Sequence, residues 1–179
     1  MKNVLVIVCC LMFCSCMDKS IEKEQIKSVT KDSDSVDFEK KAVRQKTIST
    51  QEAVQLAMKK FDAYLPTILA ENSDAGIDLQ IPNVGDFTGD GVEDVAIYFN
   101  LVPKDGGNAI ISQGLSLYQN TGQSVKVIAG YDPDYLFAFD TIRNGKIHVT
   151  KLEYAETEGR CCPSIKTPHT LTTKGNRAY

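Results

Sequence analysis

Gly85-Asp86-Phe87-Thr88-Gly89-Asp90-Gly91-Val92-Glu93-Asp94-Val95-Ala96-Ile97-Tyr98-Phe99 couples an acidic, glycine-punctuated turn to an unbroken β-branched and aromatic run. The second half reads as a strand, because such side chains suit a pleated surface. Downstream the pattern repeats. Ile110 to Tyr118, Val125 to Tyr131, Tyr135 to Ile142, Lys146 to Tyr154 and a short Ile165 to Thr172 are apolar-rich runs separated by turn residues. The breaks are Pro103 to Asn108, Asn120-Thr121-Gly122, Asp132-Pro133-Asp134 and Asn144-Gly145. Asn-Gly between two such runs is a strong hairpin signal, since both residues tolerate positive φ. Short connections make successive strands antiparallel neighbours.

Upstream, Ser49-Thr50-Gln51-Glu52 has the spacing of a capping box, in which the Ser and Glu side chains each satisfy a free backbone N–H. Ala53, Val54, Ala57, Phe61 and Leu65 then recur three and four residues apart, giving a helix with one apolar stripe that ends or kinks at Pro66. The predicted product is a single α+β domain over residues 48–179: an antiparallel β-meander of five or six strands with one amphipathic N-terminal helix packed on it. A small open β-barrel is the alternative.

The amino terminus carries a different signal. MKNVLVIVCCLMFCS, residues 1–15, places Lys2 before an apolar run from Val4 to Phe13, the pattern of an export signal. A membrane-spanning helix needs about 20 apolar residues, more than this run supplies. Ser15-Cys16 ends it and resembles a bacterial lipobox, in which a Cys becomes lipidated and amino-terminal; the resemblance implies Cys16 as the lipidation site, with Phe13 standing where Leu is usual. Simple secretion with Cys16 unmodified is the alternative. Residues 16–47 are rich in Lys, Asp, Glu and Ser and bury too little apolar surface to order themselves, so they read as a flexible tether. The expected location is the cell envelope, lipid-anchored, at the outer membrane on its periplasmic or surface side.

Composition narrows the function. Of 179 residues, 42% are hydrophobic and 24% charged, which suits one globular core. Twenty Lys and Arg against 23 Asp and Glu leave a net charge of −3, without the basic surplus of a nucleic-acid binder. Trp is absent, so an aromatic sugar-binding platform is not supported. The sequence contains no nucleophile elbow, phosphate-cradling loop or His-Glu zinc signature. Its two histidines, His148 and His169, give Ser116 and Ser164 no credible base; His148 lies between Ile147 and Val149, on the wetter face of its strand.

Two motifs could still carry chemistry. In the acidic turn, Asp86, Thr88, Asp90 and Asp94 could offer side-chain oxygens and Val92 its carbonyl to a hard cation such as Ca²⁺, as a structural clip. The twelfth position, where an EF-hand has its bidentate Glu, is Ile97, so this is no EF-hand. The alternative is a metal-free turn whose Asp side chains bond local backbone N–H groups. Near the carboxyl end, Cys161-Cys162-Pro163 is open to three readings: a strained vicinal disulfide acting as a redox switch, a thiolate pair for a soft metal, or a structurally inert loop.

The Asp-rich turn entering a strand is similar to the calcium loops of FG-GAP, integrin-type repeats; calcium held as a clip in an exported module would bind weakly, on the order of 10⁻⁴ to 10⁻³ M. Only one copy is present, so a propeller is not implied. More widely, Gly85 to Ala96, the Asn-Gly hairpin and Arg160-Cys161-Cys162-Pro163-Ser164 occur in the order that resembles uncharacterised bacterial lipoproteins of the LppP/LprE type. That resemblance implies a small exported domain and carries no catalytic residues. The expectation is therefore a noncatalytic, membrane-anchored domain that binds an envelope protein or ligand. A calcium-stabilised module and a thiol-redox or soft-metal protein are the alternatives.

Overall fold

Helix α1 (Thr50–Glu71) begins at Ser49, whose side chain accepts the Glu52 N–H while the Glu52 carboxylate accepts the Ser49 N–H at 2.8 Å. The capping box expected from the sequence is therefore formed. The helix does not stop at Pro66. Proline lacks an N–H and crowds the carbonyl four residues before it, but the apolar stripe continues beyond it through Ile68 and Leu69, which pack on the same core as Leu65. Asn72 closes the helix, its N–H donating to the Leu69 carbonyl and its Nδ2 to Ile68 O.

The computed structural model describes residues 47–107, 109–159 and 162–179. The export signal (1–15), nearly all of the tether (16–47), Cys16 and Cys161 lie outside the described residues.

Among the described residues nine strands follow the helix: β1 (Ala75–Gly85), β2 (Asp94–Pro103), β3 (Ser112–Asn120), β4 (Val125–Tyr131), β5 (Leu136–Arg143), β6 (Lys146–Glu153), β7 (Ile165–Thr170), β8 (Thr173–Lys174) and β9 (Arg177–Ala178). They form a six-stranded sheet in the order β1-β2-β3-β4-β9-β8 and a three-stranded sheet β5-β6-β7, neither closed into a barrel. The fold is α+β, as the sequence predicts. Strands β2 to β7 are the six apolar runs, and each consecutive pair within a sheet is antiparallel. Strands β1, β8 and β9 are additional to them.

Register explains why the run after Asp94 lacks alternation. Strand β2 is central, paired with β1 on one side and β3 on the other, and both of its faces are covered. Val95, Ile97, Phe99 and Leu101 join Phe61, Ala57 and Ala53 of α1 in one core, with the Phe61 and Phe99 rings 5.1 Å apart. Ala96, with Leu115 and Leu117 of β3, joins Phe137, Ile147 and Val149 of the second sheet in another core. The larger sheet is thus the middle of three layers, helix on one side and small sheet on the other. Burying one side chain such as Phe61 completely is worth about 2–3 kcal/mol.

Two glycines serve this packing. Asn144 and Gly145 adopt φ of 52° and 68° and turn β5 into β6, the backbone form expected for an Asn-Gly hairpin. At Gly85 the sheets nearly touch: a Cβ there would sit 2.6 Å from Ile142 Cγ2 of β5.

Candidate functional site

The acidic turn is organised around Asp94, which is fully buried at the start of β2. One carboxylate oxygen accepts the backbone N–H groups of Phe87 (3.1 Å) and Thr88 (2.9 Å); the other accepts that of Asn120 at the end of β3 (2.9 Å). Asp86 accepts from Gly89 N (2.6 Å) and Gly91 N (2.9 Å). Asp90 accepts from Val92 N at 2.9 Å and Gln119 Nε2 at 3.1 Å. The Val92 N–H, then the Gln119 amide, hold the Asp90 carboxyl below its ordinary range. Asn120 returns the connection, donating from Nδ2 to the Glu93 carbonyl and accepting the Gly122 N–H. Glu93 reaches the helix start by accepting the Thr50 hydroxyl at 2.7 Å, and Ile48 N–H donates to Gly122 O at 2.8 Å.

Each carboxylate of the proposed cation set is thus directed at local N–H donors. Among the described residues no three His, Cys, Asp or Glu side chains gather where a metal could be held. Asp86, Asp90 and Asp94 thus form a hydrogen-bonded bracket within and beside the turn. The bracket fastens the pole of the domain where the chain enters.

The cysteine loop is fastened separately. Glu158 Oε2 accepts the N–H groups of Ala155 (2.9 Å) and Ser164 (3.1 Å), clamping the two ends of the segment that contains Cys162. The Ser164 hydroxyl, then the Ala155 N–H, lower the Glu158 carboxyl pKa. Cys162 is exposed. His148 lies on the face of β6 opposite Ile147 and Val149, with Nδ1 3.0 Å from Thr170 Oγ1. Neither histidine is brought to Ser116 or Ser164 by a described hydrogen bond.

The more informative place is one the sequence reading passes over. Where the two sheets diverge, away from the acidic turn, they leave a cleft of about 820 Å³ lined by Ile81, Tyr98, Ile110, Gln113, Phe137 and Leu152 among others. Small-molecule sites commonly measure about 300–1,000 Å³. Its floor is a polar cluster. Gln113, only 3% exposed, donates from Nε2 to the Phe137 carbonyl at 2.6 Å and to the Tyr98 hydroxyl at 3.0 Å. Tyr98 itself donates to Phe137 O at 3.4 Å, and its ring meets that of Phe137 edge-on at 5.5 Å. Burial pushes the Tyr98 phenol above its ordinary range, with the Gln113 bond offsetting part of the shift, so it is neutral at pH 7.

Register places this floor. Tyr98 faces Leu115 and Asn100 faces Gln113, so Gln113, Leu115 and Leu117 share the face that meets the second sheet. The available signal is a glutamine at an inward position of an otherwise apolar alternation in β3.

No family model, curated protein or solved structure matches the chain. Among the described residues, no helix is long and apolar enough to cross a membrane.

Proposed function

We propose that the chain is a lipid-tethered, noncatalytic domain of a bacterial cell envelope that binds a ligand between its two sheets. The observation that carries the binding role is the cleft, whose apolar walls meet over the Tyr98–Gln113–Phe137 floor. A void of this size lined by apolar side chains exposes surface that a ligand would cover. The tether and anchor rest on the sequence of residues 1–47, with Cys16 as the acylated residue. Several acyl chains, at about 0.8 kcal/mol per buried CH₂, would hold a domain of this size at a bilayer. The noncatalytic reading is supported by the floor itself: an amide, a neutral phenol and a backbone carbonyl contain no nucleophile paired with a base.

Two measurements test it. The intact mass of the membrane-extracted protein should correspond to residues 16–179 plus acyl groups on Cys16; an unmodified chain beginning at Met1 would overturn the anchor. Cross-linking in native envelopes should join a ligand or partner to residues of β1, β5 or β6 at the cleft. Substrate turnover that a cleft substitution abolishes would overturn the noncatalytic role.

A further inference from the structure

Strand β4 leaves part of its edge uncovered on the helix side of the large sheet, apart from the cleft between the sheets. Strand β9 pairs with it at Gly130 alone, where the Gly130 N–H donates to Asn176 O at 3.0 Å. From Val125 to Ala129 no described strand lies on that side, whereas β3 is paired along the other. An edge strand turns every second N–H and C=O outward, and an added strand bonds these groups.

A cavity of about 470 Å³ lies beside this edge, between α1 and β4. Its walls are Lys60 and Tyr64 of α1, Ser116 and Tyr118 of β3, Val127 to Gly130 of β4, and Asn176. Tyr118 is buried, but Val127 and Tyr64 remain 57% and 52% exposed and would be covered by an apolar side chain entering there. Strand addition works in this way: main-chain bonds supply affinity, and a pocket for alternate side chains supplies selectivity.

Charge selects the partner. Lys60 is the only charged residue of the wall. Lys126 precedes Val127, and Arg177 is the residue that pairs with Gly130. None of these three cations takes part in an ion pair or hydrogen bond. Asp62, on the same helix, is occupied by Gln80 Nε2 of β1 at 2.9 Å. Glu71 and Asp132 lie at a neighbouring cavity, towards the far end of β4. A chain of net charge −3 thus presents unpaired positive charge along this edge. A second copy of β4 would bring the same cations together, which disfavours self-pairing, whereas an acidic segment would be drawn in.

We propose that the outer edge of β4 receives an extended acidic segment of a partner protein, added as a strand beside Val125 to Ala129, with an apolar side chain in the cavity and carboxylates facing Lys60, Lys126 and Arg177.

The test titrates the purified full chain into fluorescently labelled peptides and reads their anisotropy. The first peptide alternates glutamate with valine and phenylalanine, the second has lysine at every glutamate, and the third is the first with alternate backbone amides methylated. The first should bind about tenfold more tightly than either of the others and lose affinity as salt is added. It should also slow hydrogen exchange at Val125 to Ala129. Lys126→Glu, at an exposed position, should reverse the preference between the first two peptides with an unchanged melting temperature. Equal affinity for the glutamate and lysine peptides, or a preference that Lys126→Glu leaves unchanged, would overturn the acidic partner. Full affinity of the methylated peptide would overturn strand addition. Failure of the first peptide to bind, or protection of β4 that instead follows dimerisation of the chain alone, would overturn the proposal outright; each of these results leaves the cleft between the sheets untouched.

Discussion

Asp94 and Asn120 hold the ends of neighbouring strands together: the buried carboxylate of the first accepts the backbone N–H of the second at 2.9 Å, while the Asn120 side chain donates back to Glu93 O at 3.2 Å. The same carboxylate also closes the acidic turn through Phe87 and Thr88. Removing it strands the buried Asn120 donor and the part-buried Phe87 and Thr88 donors; a donor left unpaired in a buried place costs about 1–3 kcal/mol, and less where water reaches it. Asp94→Ala should therefore destabilise the domain by about 3 kcal/mol or more. Urea denaturation is the measurement, and a loss below about 1 kcal/mol would mean the bracket is not what holds this pole.

Calcium should matter little at the same turn. Because the carboxylates already bond their own loop, the melting temperature should stay the same between millimolar calcium and chelator. A ligand at 100 times its dissociation constant would add about 2.7 kcal/mol, which a melting experiment resolves. A calcium-dependent rise would instead support the cation clip.

Acid should weaken the domain in a defined direction. Asp90 and Glu158 both have pKa values lowered in the folded state by hydrogen bonds to their carboxylates. A depressed folded value means the unfolded chain takes up the proton first. The contribution is then fully present above the unfolded values near 4 and disappears as the pH falls through the folded ones. Melting temperature should be level at pH 6–7 and drop below about pH 4, with a shallower drop in Asp90→Asn. Equal acid slopes in wild type and variant would remove Asp90 from the explanation.

The contact between Gly85 and Ile142 predicts a coupling between the sheets. Alanine at 85 would place its Cβ 2.6 Å from Ile142 Cγ2, and overpacking of this kind typically costs about 1–3 kcal/mol. Ile142→Gly removes both the Cγ2 and the Cβ, which would lie 2.7 Å away, so the double variant should lose less than the sum of the single ones. Additivity within about 0.5 kcal/mol in a double-mutant cycle would show that the strands separate instead.

Much of this architecture was legible beforehand, and the exceptions have physical causes. The six strands β2 to β7 stood out because their runs are bounded by turn chemistry, Asn144-Gly145 above all. Strand β1 was hidden by Pro82 and by a bulge between Ile77 and Leu79 that interrupts the alternation. An edge strand tolerates both, and β1 ends its sheet. Strands β8 and β9 are two residues each, too short to carry a period. Pro66 does not end the helix, one of the two outcomes its position allowed, because Ile68 and Leu69 beyond it pack on the core. Asp86, Asp90 and Asp94 were legible as a turn, but whether their oxygens meet a cation or N–H groups depends on geometry that spacing leaves open. The cleft was not legible, because Tyr98, Gln113 and Phe137 come together only when the two sheets stack.

Strand β2 is bonded along both edges and roofed on both faces. Its central amides, from Val95 to Leu101, lie at the middle of the layers, so their exchange with deuterium should require the whole domain to come apart. Strand β7, mostly exposed and paired only with β6, should exchange through local fraying. One strand therefore keeps time for global unfolding, and because Phe99 and Tyr98 point from it in opposite directions, the helix layer and the cleft layer should lose their order in a single cooperative step.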